Sequence, residues 1–211
     1  MTVFAATARA RRSVADLLDD LDDAQLATPS LCAGWSVKMV AGHVAAAVTV
    51  GTAGFLRELV RQRGNGHATN TVLARRVAEL PTAELAALLR ERADREFSPP
   101  VVGPRGPLAD GLVHEGDMRV PLGLPHAPGP ADVALALEFI TTGRPVGFLR
   151  RGALRGLRLV ATDLDWAWGV GEPLGGRGID LLMAACGRTA LLPALTGAGV
   201  PVLAGRLTTR R

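Results

Sequence analysis

The stretch Thr28-Pro29-Ser30-Leu31-Cys32-Ala33-Gly34-Trp35-Ser36-Val37-Lys38-Met39-Val40-Ala41-Gly42-His43 passes from a punctuated loop into a helix, and its reading decides the fold class. Pro29 and Gly34 interrupt regular structure. Ser36 supplies a hydroxyl suited to cap the helix that follows. Trp35, just before the cap, is placed to fold back on the first turn as a hydrophobic staple does. From Val37 onward the chain is Ala-rich, and Val37, Val40, Val44, Ala47 and Val48 recur at the spacing of one helical face. The pattern predicts one long helix from Val37 to about Arg63. His43 stands beside Val40 and Ala47, so it faces the core or its rim.

The same periodicity extends upstream and downstream. Residues 5 to 23 read as a first helix whose apolar face is Val14, Leu17, Leu18 and Leu21. The run Asp19, Asp20, Asp22 and Asp23 opposes the dipole at a helix C-terminus and marks where that helix stops. Asn70 to Leu80 reads as helix, ended by Pro81; another begins at Thr82 with Leu85, Leu88 and Leu89 inward. A Pro/Gly-rich connector covers Ser98 to Pro107. A short helix from Leu108 to about Arg119 follows, and a buried one opens at Pro130, whose fixed φ suits a first turn.

After Gly143 the pattern changes. Gly156 to Thr162 and Trp166 to Val170 have strand composition and form a candidate hairpin. Gly175 to Arg188 reads as helix, Leu191 to Leu195 as a short helix, and Val200 to Leu207 as a final strand. The expected architecture is mainly α: a helical bundle over residues 1–145, then a small α/β domain over 146–211.

Composition narrows the function classes. Apolar residues are 48% and aromatics only 4%, with no tyrosine, so Ala, Leu and Val do the packing, as in closely packed helices. No apolar run reaches the roughly 18 residues of a membrane span, since the nearest case, Val40 to Leu56, is interrupted by His43, several Gly and Thr49, and the N-terminal arginines lead into acids and not into an apolar signal core. A cytoplasmic protein without membrane association is expected. Cys32 and Cys186 are far apart and outside any C-x-x-C pair, which reads as two reduced thiols. The charge is +4, and all but Lys38 of the 24 basic residues are Arg. They are dispersed among acids without a basic stripe or stacking aromatics, which argues against nucleic acid as a partner.

Asp110 and His114 are four residues apart, one turn on a single helical face. With His43 they make a His/carboxylate/His set. Three protein ligands and an open position is the usual form of a catalytic zinc site, and bundles build such sites from facing helices. Taken singly, His43 also fits a packed core histidine and Asp110 a helix cap. Asp117 is placed either to pair with Arg119 or to hold the other nitrogen of a ligating histidine. Arg177 and Arg188 flank one helix of the second domain, and either has the fork geometry for a substrate carboxylate. Gly171, Gly175, Gly176 and Gly178 are not followed by G-K-[ST] and make no phosphate loop.

These residues fall into a family pattern. Leu31-Cys32-Ala33-Gly34-Trp35-Ser36-Val37-Lys38 leading to His43 resembles the "C-x-G-W-T-V" to His segment of mycothiol-dependent maleylpyruvate isomerase-like proteins, which belong to the DinB-like four-helix bundle superfamily. Val113-His114-Glu115-Gly116-Asp117-Met118-Arg119-Val120-Pro121-Leu122-Gly123 is similar to the family's "H-x-x-D-x-R-R-P-L-G" signature. Ala161-Thr162-Asp163, Trp166, Gly169 and Ala185-Cys186-Gly187-Arg188 resemble its C-terminal domain. The three matches run in the family's order along most of the chain. Two departures stand out: the family more often has Glu where this chain has Asp110, and Val120 replaces a common second Arg.

The resemblance implies a DinB-like bundle, a divalent metal such as zinc held by His43, Asp110 and His114, and mycothiol as thiol cosubstrate. It also implies a substrate- or thiol-binding role for Arg188. The expected chemistry is attack of a metal-stabilised thiolate on a small-molecule electrophile. An isomerase would add the thiol to a cis double bond, allow rotation and expel it, whereas a transferase would keep the adduct. The alternative is a non-catalytic, metal-stabilised binding or regulatory module of the same fold. Either would act as a monomer or homodimer.

Overall fold

The computed structural model describes residues 2–208. Ten α-helices and three strands appear among them: α1 Val3–Asp19, α2 Asp23–Ala27, α3 Val37–Thr49, α4 Gly51–Arg61, α5 Gly66–Ala78, α6 Thr82–Glu91, α7 Gly106–Arg119 and α8 Pro130–Thr142; then β1 Leu157–Ala161, β2 Ala167–Trp168, β3 Glu172–Gly176, α9 Gly178–Ala185, a 3-10 helix Thr189–Ala194, and α10 Gly199–Thr208. No helix among them is long and apolar enough to cross a membrane. The chain packs as two compact units, Met1–Phe97 with His114–Pro125, and Ser98–Val113 with His126–Arg211. The first is helical, and the second holds a small mixed sheet with helices.

In the first unit α1 packs on α6 and α3 packs on α5, with further contact of α3 to α6 and α1. The core joins Val14, Leu17 and Leu18 of α1 to Val37, Val40, Ala41, Val44 and Val48 of α3, and to Leu85 and Leu89 of α6. Ala47, expected on the buried face, is exposed, and Ala41 and Ala45 are buried in its place. Gly42 explains how closely α3 and α5 approach. A Cβ there would lie 2.5 Å from the Ala74 carbonyl oxygen and 2.8 Å from Ala78 Cβ, so only glycine fits without moving a helix.

The long helix expected from Val37 to Arg63 is two helices. Gly51 takes φ +66°, a left-handed conformation natural to glycine, and the break falls there. The acidic run after α1 also does more than end that helix. Asp22 caps α2, accepting from Gln25 N at 2.8 Å while the Gln25 side chain accepts from Asp22 N at 3.0 Å. Asp16 and Asp19 each accept a hydrogen bond from Arg90 of α6 at 2.6 Å, and these bonds raise the Arg90 pKa, Asp19 contributing most.

In the second unit β1 is central. It pairs antiparallel with β2 through Leu159↔Trp168 and Val160↔Ala167, the hairpin read in the sequence, and parallel with β3 from Leu157↔Glu172 to Ala161↔Gly176. β3 was hidden by Pro173, Gly175 and Gly176, which depress strand propensity. The glycines are there for space: a Cβ on Gly176 would sit 2.4 Å from Leu195 Cδ2. Every residue of α9 is buried, and it packs on α8, on β1 and β3, and on the 3-10 helix. The segment expected as a last strand is helix α10. Val200-Pro201-Val202 mimics strand alternation, but Pro201 lies in the first turn of a helix, where its missing N–H costs nothing.

Candidate metal centre

His43 lies in the middle of α3 and is half-buried. Its ring centroid is 4.7 Å from that of His114, with the planes at 75°, and 5.4 Å from the Trp35 ring. Trp35 therefore walls one side of His43. The Trp35 loop is held by short bonds: Ser36 Oγ caps α3 by accepting from Met39 N at 3.3 Å, Trp35 N donates to Cys32 O at 2.9 Å, and Ser30 Oγ accepts from Cys32 N at 3.1 Å.

His114 and Asp110 stand one turn apart on the unbroken helix α7. His43, Asp110 and His114 each offer one ligand atom, and these atoms lie within 4.8 Å of one another. All three side chains are half-buried. The spacing read in the sequence thus brings the three residues together. It does not by itself assign them a metal.

The donor set and its surroundings fit a divalent cation. Two imidazoles and a carboxylate suit zinc and similar borderline cations. His114 Nδ1 lies 2.9 Å from Asp117 Oδ2. Asp117 is fully buried, and an Nδ1–H donated to it leaves Nε2 as the metal-binding nitrogen. Of the two partners open to Asp117, it takes the histidine. Arg119 instead donates to Glu115 Oε1 at 2.7 Å, and the same oxygen accepts from Ser13 Oγ at 2.6 Å, which ties α7 to α1. Leu31 N donates to the Asp117 carbonyl at 3.1 Å and ties the Trp35 loop to α7.

Cys32 is the residue the sequence undervalued. Its thiol donates to Asp117 Oδ2 at 3.1 Å, and Sγ lies 3.6 Å from His114 Nδ1. Cys32, His114 and Asp117 form a second group of potential ligands, also within 4.8 Å of one another. In the sequence Cys32 stood only as a reduced thiol and as the Cys of the segment leading to His43, with nothing to join it to Asp117.

The arginines of the second unit have different fates. Arg177 forms a two-pronged pair with Asp180, Nε to Oδ2 and Nη2 to Oδ1 both at 2.8 Å, and these bonds raise its pKa. Its fork is thus directed to a buried acid within the same helix turn. Arg188 lies just beyond α9, where Nη1 donates to the Cys186 carbonyl at 2.8 Å. His67 is exposed and His126 buried, and neither joins the groups described above.

With this geometry in place, the relatives can be read. Residues 7–96 match the family model of the mycothiol maleylpyruvate isomerase N-terminal domain. That settles the family resemblance for the N-terminal region. The match takes in Cys32, Trp35 and His43 and ends before α7. Beyond it the likeness is one of fold. The crystal structure of the mycothiol-dependent maleylpyruvate isomerase superposes with a TM-score of 0.51 over 94% of this chain and 93% of that one, at 17% identity. A histidine-to-alanine mutant of that isomerase matches equally, with the same score and identity. No curated protein is close enough in sequence to count as a relative. Residues 7–96 are thus similar to that family's N-terminal domain, and the chain as a whole shares a fold with the isomerase.

Proposed function

We propose that this protein is a metal-dependent thiol enzyme in which His43, Asp110 and His114 hold a divalent cation, zinc by preference, and mycothiol is the cosubstrate. The observation that carries the reading is the convergence of His43 from α3 with Asp110 and His114 from α7, ligand atoms within 4.8 Å. The N-terminal family match supports the choice of thiol. When bound, the cation supplies positive charge that stabilises a thiolate at neutral pH.

The chain's own residues do the remaining work. Asp117 accepts the His114 Nδ1 proton, fixes the tautomer and raises the basicity of the ring. Asp110 contributes negative charge. As its arm is one carbon shorter than that of Glu, α7 must carry it closer to the cation. Trp35 restricts the approach to His43. Arg188 is assigned to binding the substrate or the thiol, and its planar fork suits a substrate carboxylate. The electrophile is a small molecule, and its fate is either cis–trans isomerisation after thiol addition or retention of the thiol as a thioether.

Purified protein, loaded with zinc, is to be tested for mycothiol addition to maleylpyruvate and to simple alkylating electrophiles. Turnover that is lost in His43→Ala and restored by no other thiol supports the reading. A protein that binds zinc yet accelerates none of these reactions contradicts it and leaves a metal-stabilised binding module.

A further inference from the structure

Cys32, His114 and Asp117 come from the Trp35 loop and from α7, and all three belong to the first compact unit. Their facing atoms are separated by 2.9 Å (His114 Nδ1 to Asp117 Oδ2), 3.1 Å (Cys32 Sγ to Asp117 Oδ2) and 3.6 Å (Cys32 Sγ to His114 Nδ1). A tetrahedral cation with bonds of about 2.3 Å to sulfur and about 2.0–2.1 Å to nitrogen or oxygen keeps such atoms roughly 3.3–3.6 Å apart. Each pair is therefore within about half an ångström of that arrangement. The loop needs little rearrangement to reach it, because Cys32 is already fixed by Ser30 Oγ on its N–H and by Trp35 N on its carbonyl.

We infer that Cys32, His114 and Asp117 form a second metal position, selective for soft cations, that shares His114 with the first. Thiolate is the ligand that favours soft over hard cations. Binding replaces the hydrogen bonds now joining the three side chains. The Cys32 S–H gives its proton to solvent, and His114 stays neutral by carrying its proton on Nε2 while Nδ1 binds. A divalent cation, one thiolate, one carboxylate and a neutral imidazole sum to zero charge. That balance suits a place where Asp117 is fully buried.

The tautomer makes the two positions exclusive. Nε2 protonated cannot serve the His43 and Asp110 position, and Nδ1 protonated cannot serve this one. A soft cation would thus displace the working metal by claiming the histidine they share. The inference stands apart from the proposed activity, since it requires neither His43 nor Asp110.

The test is a titration of the whole metal-free protein with cadmium, read by the ultraviolet thiolate-to-cadmium charge-transfer band. Wild type and His43→Ala are expected to develop the band, and Cys32→Ser to lose it with thermal unfolding unchanged. In the wild type, cadmium is also expected to protect Cys32 from alkylation, read by mass spectrometry, which needs no variant. Cadmium bound without the band, a band that survives Cys32→Ser, a band lost in His43→Ala, or unprotected Cys32 would each overturn the inference. Loss of zinc binding in His43→Ala bears only on the first position, so the two readings fail separately.

Discussion

Asp117 Oδ2 accepts from two donors at once, His114 Nδ1 at 2.9 Å and the Cys32 thiol at 3.1 Å, and the first of these orients the histidine common to both ligand groups. Asp117→Ala removes the acceptor that both half-buried donors share. Metal affinity at His43, Asp110 and His114 is expected to fall by about 10–100-fold, the usual cost of losing such a support. Competition with a chelator of known affinity measures it, and an unchanged affinity would deny Asp117 this role.

Gly42 sets the separation of α3 and α5 one residue from His43. In Gly42→Ala the new methyl meets the Ala74 carbonyl at 2.5 Å, backbone that cannot swing aside. The helices must part, at an expected cost of about 1–3 kcal/mol, and His43 moves with α3. Urea unfolding should show the lower stability together with weakened metal binding. Wild-type values for both would mean the contact is slack.

Much of this was legible before the structure. Val14, Leu17 and Leu18 announced α1, Ser36 announced the start of α3, and the four-residue step from Asp110 to His114 announced a shared face. What escaped has physical causes. Gly51 looks like any tolerated helix glycine until its φ is known. β3 carries Pro173 and two glycines because it is an edge strand pressed against Leu195. The Cys32–Asp117 contact spans 85 positions, and no local pattern encodes a tertiary hydrogen bond of that kind.

Glu58 gives the fold an acid limit. It is the one buried residue of α4, and the hydrogen bond from Gln62, helped by Arg61 and Arg76, holds its pKa below the ordinary carboxylate value against the opposing effect of burial. A folded pKa below the unfolded one means a contribution to stability that is present above the unfolded value of about 4.3. It is lost as pH falls through the folded value. The urea midpoint should therefore drop less steeply in Glu58→Gln than in wild type between about pH 5 and about pH 3. Parallel curves would contradict it.

Arg11 is a buried guanidinium that donates to the Ala93 and Arg95 carbonyls, both at 2.7 Å, beyond the end of α6. Desolvation lowers its pKa, with Arg95 adding to the effect. Arg11→Met keeps the aliphatic stem and strands the carbonyls, at an expected cost of about 1–3 kcal/mol. Thermal unfolding checks it, and an unchanged midpoint would mean that water replaces the guanidinium without penalty.

The most direct test of the central claim is metal content by plasma mass spectrometry on untagged wild type beside His43→Ala, Asp110→Ala and His114→Ala. The account predicts about one zinc or similar ion per wild-type chain, as expected of a site with three protein ligands, and its loss in all three variants. A wild-type chain that retains no metal after zinc is supplied and the excess removed would contradict it.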